Sequence, residues 1–190
     1  MKSLICFLLI LIYTFSIYGA KNSISKDHMN INEYNFEFEK INSSGLIKLN
    51  DYHGKLILLV NTASLCGFTK QYKALETLSQ KYKEKGLVVI AVPSNDFGNQ
   101  EPSSNEEVAK FCEVNFNISF LITKKVKVTG DNSHEFFNLT RKEFGYLSGP
   151  KWNFYKYLIG ANGELIAWFS SITKPESKKL ISIIDKNLPK

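Results

Sequence analysis

Two cysteines beyond residue 20, Cys66 and Cys112, are the side chains of this sequence best suited to covalent or redox chemistry. Cys66 lies in NTASLCGFT, residues 61–69, where an apolar run ends and a helical pattern begins. A cysteine attacks as its thiolate, and backbone N–H groups at the start of a helix favour that anion. Gly67 lets the chain turn tightly beside the sulfur and leaves room there. Position 69 is threonine, which excludes a C-x-x-C dithiol or half of a zinc site. The competing reading of Cys66, and of Cys112 in VAKFCEVNF, is a small buried hydrophobe. His28, His53 and His134 are scattered without metal-ligand spacing and are assigned surface or structural roles. No glycine loop suited to phosphate is present, so the sequence implies neither a metal nor a nucleotide cofactor.

The elements that must position Cys66 are legible as changes of period. KLILLVNTAS is a continuous apolar run, as expected of a strand buried on both faces. From Thr69 onward Tyr72, Leu75, Leu78 and Tyr82 recur at helical spacing, and Gly86 marks the stop. GLVVIAVPSND is a second buried strand. Strand, helix and strand make a βαβ unit with parallel strands, which puts Cys66 at the carboxyl edge of a sheet. Upstream, YNFEFEKI and LIKLND flank Asn42-Ser43-Ser44-Gly45 and predict an N-terminal β-hairpin. Downstream, SSNEEVAKFCEVNF predicts a helix capped by Ser103 or Ser104, KKVKVTG a short strand, and SHEFFNLTRKEF a short helix. FYKYLIGANGELIAWFS alternates on both sides of Asn162-Gly163 and predicts a second hairpin. PESKKLISIIDKNL closes the chain as an amphipathic helix started by Pro175. The fold class is α/β, a central mixed sheet flanked by helices.

MKSLICFLLILIYTFSIYGA has the layout of a secretory signal peptide over residues 1–20: a lysine, an apolar run, then small residues. The run is shorter than the roughly 20 residues a spanning helix needs, and an uncleaved membrane anchor is the alternative. Either way the chain is expected to be exported, to a periplasmic or secretory compartment. Residues 21–33 are polar and aperiodic and predict a flexible lead-in; residues 34–190 are long enough for one domain with its own core. The net charge of +6 is spread over short groups such as Lys81/Lys83/Lys85 and Lys124/Lys125/Lys127. Without an arginine tract or interleaved aromatics, these are solvated faces rather than a nucleic-acid surface. Two cysteines are too few for a disulfide-stapled scaffold.

Three blocks, NTASLCGFTKQYKAL, VPSNDFGNQEPSSNEEVAKF and WNFYKYLIGANGELIAWF, together resemble the glutathione peroxidase family, in its order and spacing. The resemblance spans residues 34–188, nearly the whole domain. It implies a thioredoxin-like fold and a peroxidase that reduces hydrogen peroxide or organic hydroperoxides in the response to oxidative stress, with Cys66 as nucleophile. It also implies that Trp152 and Asn153 lie beside the sulfur, where an indole N–H and an amide can donate to developing negative charge. The glutamine the family pattern carries in N-Q-F-G falls on Asp96 here. A carboxyl there would be a protonated donor, a proton relay, a group turned away, or simply a loop cap. The resolving cysteine of many members falls one position beyond Cys112, a rotation of about 100° on a helix. With Cys112 resolving, the cycle runs through a sulfenic acid to a disulfide reduced by a thioredoxin-like protein; without it, glutathione or another small thiol completes the cycle. The short segment between Phe144 and Trp152 implies a monomer. Two rival readings are a thiol-disulfide oxidoreductase, which normally keeps the C-x-x-C pair absent here, and a peroxide sensor with little turnover.

Overall fold

A computed structural model describes residues 29–190. The leader expected over residues 1–20 and the first part of the lead-in lie outside the described residues.

The centre of the molecule is β3 (Leu56–Thr62), all seven of whose residues are buried. It pairs parallel with β4 (Leu87–Pro93) and antiparallel with β6 (Lys156–Ile159). β5 (Leu121–Ile122) extends the sheet beside β4, and β7 (Leu165–Phe169) lies beside β6, giving the order β5-β4-β3-β6-β7. The crossover from β3 to β4 is α1 (Gln71–Tyr82), followed by a short turn that Gly86 ends at φ 91°. The hairpin strands β1 (Glu37–Glu39) and β2 (Leu46–Lys48) form a separate antiparallel pair. α2 (Asn105–Phe116) begins with a capping box in which Ser104 and Glu107 satisfy each other's backbone N–H. α3 (Glu135–Phe144) and α4 (Lys178–Asn187) complete the helices. The mixed sheet, the flanking helices and the N-terminal hairpin agree with the expected thioredoxin-like architecture.

Strand alternation divides the core into two layers. Leu56, Leu58 and Val60 face α1, α2 and α4, in a cluster that includes Cys66, Tyr72 and Cys112. Ile57 and Leu59 face the other way, among Phe36, Phe38, Phe136, Phe137 and Tyr157. The site therefore sits on the first layer, where β3 delivers the chain into α1.

Three expectations are corrected. Residues 29–33 are not a flexible lead-in: Met29 and Ile31 are buried, and Ile31 N–H donates to Gly163 O while Leu165 N–H donates to Met29 O. Two large apolar side chains in a polar stretch were enough to anchor it. The strand expected over 124–130 is replaced by the two-residue β5 just before it. Its N–H groups are used elsewhere, Lys124 on Glu39, Val126 on Pro93, and Val128 on the Asp96 side chain. Finally, Ser177 rather than Pro175 starts α4, its hydroxyl accepting from Leu180 N–H.

Candidate active site

Cys66 occupies the turn between β3 and α1 and is 8% exposed. The turn is fixed by Thr69, whose Oγ1 accepts from Cys66 N–H at 2.9 Å and donates to Ala63 O at 2.8 Å. The residue in the fourth place of the turn is thus a brace for the sulfur-bearing backbone. Phe68 N–H points at Cys66 Sγ, 3.5 Å away, and is the backbone donor that the run into a helix supplies. Gly67 adopts no left-handed φ, and a Cβ there would meet nothing within 4 Å. The turn does not need glycine, while the space beside the sulfur is open.

Two further loops close on this turn. The first, 95–101, is coiled by Gly98 (φ 73°) and Asn99 (φ 50°) and latched by Asn95, whose Oδ1 accepts from Glu101 N–H. The coil presents Gln100 to both neighbours: its carbonyl accepts from Leu65 N–H at 2.8 Å, and its Oε1 accepts from Asn153 Nδ2 at 3.0 Å. The second loop, 150–154, is gripped by the buried Asn61, whose Nδ2 donates to Trp152 O and whose Oδ1 accepts from Tyr155 N–H. Phe154 is held at φ 66°, rare for a bulky residue, by its N–H bond to Asn61 O. Asn153 is fully buried, and the bond to Gln100 takes one of its two amide protons. Trp152 is 41% exposed, its ring 5.7 Å from that of Phe97. Gln100 is a site residue that the sequence reading passed over. The signal was a glutamine four positions after Asp96, in a loop that must fold back beside the cysteine turn.

The glutathione peroxidase family model matches residues 33–141 of this chain. The chain belongs to the glutathione peroxidase family. It is 49% identical to a glutathione peroxidase-like peroxiredoxin of Schizosaccharomyces pombe over 65% of its own length and 79% of the relative's. Against glutathione peroxidase-like peroxiredoxin 2 of Saccharomyces cerevisiae the identity is 44%, over 73% of this chain and 89% of the other. The crystal structure of Trgpx in apo form superposes with a TM-score of 0.63 at 33% identity, covering 85% of this chain and 99% of that one.

In this glutathione peroxidase family member the remaining expected residues are placed unequally. Asp96 Oδ2 accepts from Val128 N–H, Thr129 N–H and Thr129 Oγ1 at 2.7 to 3.0 Å, so it caps the 128–129 turn. Of the roles left open for it, the loop cap is the one these bonds describe, and the amide beside Asn153 comes from Gln100 instead. Cys112 is fully buried on α2 in the same apolar cluster as Cys66, and both are free thiols. Burial pushes its thiol up to about 11. His134 is structural: its ring stacks on Phe38, Nδ1 accepts from Phe136 N–H, and Nε2 meets Glu37 O at 3.0 Å. Among the described residues no cluster of metal-ligating side chains is present.

Two buried charges also lie at the site. Lys156, fully buried, donates to Gln71 Oε1 at 2.6 Å and Phe154 O at 2.8 Å. Gln71 in turn donates to Ser171 O, and Ser171 Oγ donates to Asn153 O. This network pins the Trp152–Phe154 turn to the first residue of α1, five positions after Cys66. Burial lowers the Lys156 ammonium from 10.5 to about 7, with Glu176 opposing. Glu101, 5% exposed, is raised by burial from 4.5 to about 7.

Proposed function

We propose that this chain is a thiol-dependent peroxidase that reduces hydroperoxides at Cys66. The thiolate sulfur attacks the nearer peroxide oxygen, the O–O bond breaks, Cys66 becomes a sulfenic acid, and the departing oxygen leaves as water or an alcohol once protonated. Asn153 and Trp152 are the donors for the charge that develops on that oxygen, and Gln100 holds the Asn153 amide in place. The observation that carries this reading is the closure of two separate loops on the Cys66 turn, through the Leu65–Gln100 and Gln100–Asn153 bonds. Cys112 is the resolving thiol in this reading, and α2 must loosen for its sulfur to come within bonding range of Cys66. A thioredoxin-like protein then reduces the disulfide. The sequence of residues 1–20 supports export, and the short 145–151 loop supports a monomer.

The test is stopped-flow peroxide reduction by the full chain, native and with Cys66→Ser or Cys112→Ser, with thioredoxin and with glutathione as reductant. Cys66→Ser should abolish consumption of peroxide; retention of it would end the proposal. Cys112→Ser should accumulate the sulfenic acid and stall under thioredoxin. Undiminished thioredoxin turnover would pass the resolving role to an external thiol.

A further inference from the structure

The turn that carries Trp152 and Asn153 rests on a cradle of buried side chains drawn from separate parts of the fold. Successive backbone carbonyls of the turn are taken up one by one: Trp152 O by Asn61 Nδ2 of β3 at 3.2 Å, Asn153 O by Ser171 Oγ at 2.6 Å, and Phe154 O by Lys156 Nζ of β6 at 2.8 Å. Lys156 and Ser171 are joined through Gln71 of α1, which accepts from Lys156 Nζ at 2.6 Å and donates to Ser171 O at 2.8 Å. Asn61, Gln71, Lys156 and Ser171 are all buried, Asn61 and Lys156 completely. Lys156 is the costly member, since among the described residues no carboxylate forms an ion pair with it. Burying a charge without a counter-ion is unfavourable, and an apolar side chain of similar volume is often as good or better for stability. What the lysine adds is its donors, and both bonds go to groups that fix the turn. The backbone there needs fixing: Phe154 sits at φ 66°, a conformation a bulky residue keeps only when its surroundings impose it.

We propose that Lys156 is a positioning residue for peroxide reduction: by clamping the Phe154 carbonyl and, through Gln71 and Ser171, the Asn153 carbonyl, it holds the Asn153 amide where it donates to the departing oxygen. This rests on the reading that Cys66 reduces hydroperoxides with Asn153 as a donor. The amide is aimed from both ends. At its side-chain end Gln100 takes one of the two amide protons, which leaves the other for the oxygen. At its main-chain end Ser171 and Lys156 fix the two peptide planes that follow Asn153. A donor of this kind lowers the barrier only if it is in place before the charge develops. A displacement of about 1 Å can cost roughly 100-fold in rate. The bonds of Lys156 are spent on the cradle, so it acts through Asn153 and not on the peroxide.

The measurement is a double-mutant cycle of Lys156→Met and Asn153→Ala in the full chain, read by stopped flow as the second-order rate constant for hydrogen peroxide. Methionine keeps most of the bulk of the lysine stem and removes its donors. Lys156→Met alone should slow the reaction roughly 10- to 100-fold. Added to Asn153→Ala it should slow the reaction no further, because the group it aims is already gone; a general loosening of the fold would multiply the two losses. Alkylation of Cys66 by iodoacetamide, located by peptide mass, needs the thiolate but no oxygen donor, and it should keep its native rate in Lys156→Met. A Lys156→Met chain that reduces peroxide at the native rate overturns the proposal, and so do multiplied losses or an equal fall in alkylation. Should that variant not fold, Gln71→Ala breaks the link from Lys156 to Ser171 and decides by the same cycle. A loss that vanishes in the Asn153→Ala background then supports the clamp, and a native rate or multiplied losses overturn it. Failure of the underlying reading looks different. If Cys66→Ser still consumes peroxide, or Asn153→Ala alone runs at the native rate, the donor reading fails and takes the clamp with it. If both of those chains are impaired while Lys156→Met is native, only the clamp is wrong.

Discussion

The two layers of the core are built from similar residues and treat polar groups in opposite ways. On the layer under the hairpin and α3, Tyr157 Oη donates to Ser148 O, Thr140 Oγ1 to Phe136 O, and His134 is bonded at both ring nitrogens. On the layer under Cys66, side-chain atoms of Thr62, Ser64, Tyr72, Glu101 and Asn153 are buried without a well-formed hydrogen bond, although Ser64 lies beside the Glu101 carboxyl and Thr62 beside the Tyr72 hydroxyl. Among the described residues, Asn50 Oδ1, near the hairpin, is the single such atom elsewhere. A layer that only holds the fold together satisfies nearly every group it buries, whereas loosely satisfied groups gather where the molecule keeps reactive capacity.

The comparison breaks if mutations on the two layers fail in the same way. The largest effect should come from Phe136→Ala, which removes a fully buried ring in edge contact with Phe36, Phe137 and Tyr157. A loss of about 3–5 kcal/mol of unfolding free energy is expected, read by denaturant titration, with the peroxide rate per folded chain unchanged. Asn153→Ala should do the reverse. It should reduce the second-order rate constant for peroxide by roughly 100- to 1000-fold, the scale of one lost donor to a developing oxyanion. It should move Tm little, because the side chain gives up only its bond to Gln100. The smallest effect sharpens the contrast. Burial holds His134 below its ordinary 6.5, so the folded chain keeps it neutral while the unfolded chain takes up a proton. Its contribution is therefore complete above about 6.5 and is lost as pH falls toward the folded value. Denaturant titrations from pH 7 to 5 should show that decline in the native chain and a shallower one in His134→Asn.

How much of this was legible in the sequence depends on the kind of signal. The βαβ unit and the place of Cys66 follow from a change of period between residues 56 and 93, which is a property of the side chains themselves. Val126 and Val128 also alternate, and Val128 is buried, yet no strand forms: Val126 N–H reaches Pro93, where β4 ends, and Val128 N–H goes to the Asp96 carboxylate instead of a strand neighbour. Gln100 carries no periodic signal at all. Its aim is set by two left-handed residues, Gly98 and Asn99, and by the latch of Asn95. Lys156 and Glu101 were invisible for another reason: charged residues read as surface by default, and only packing reveals that these two are inside.

The anchoring of Met29 and Ile31 fixes more than a loose end. Their backbone bonds fall at the 160–165 turn between β6 and β7, beside the Gly54–Ala161 bond at the start of β3. The sulfur lies beyond the far end of that strand. Residue 29 thus joins the domain at the pole opposite Cys66, and the bonds that hold it there also brace the strand that delivers the sulfur.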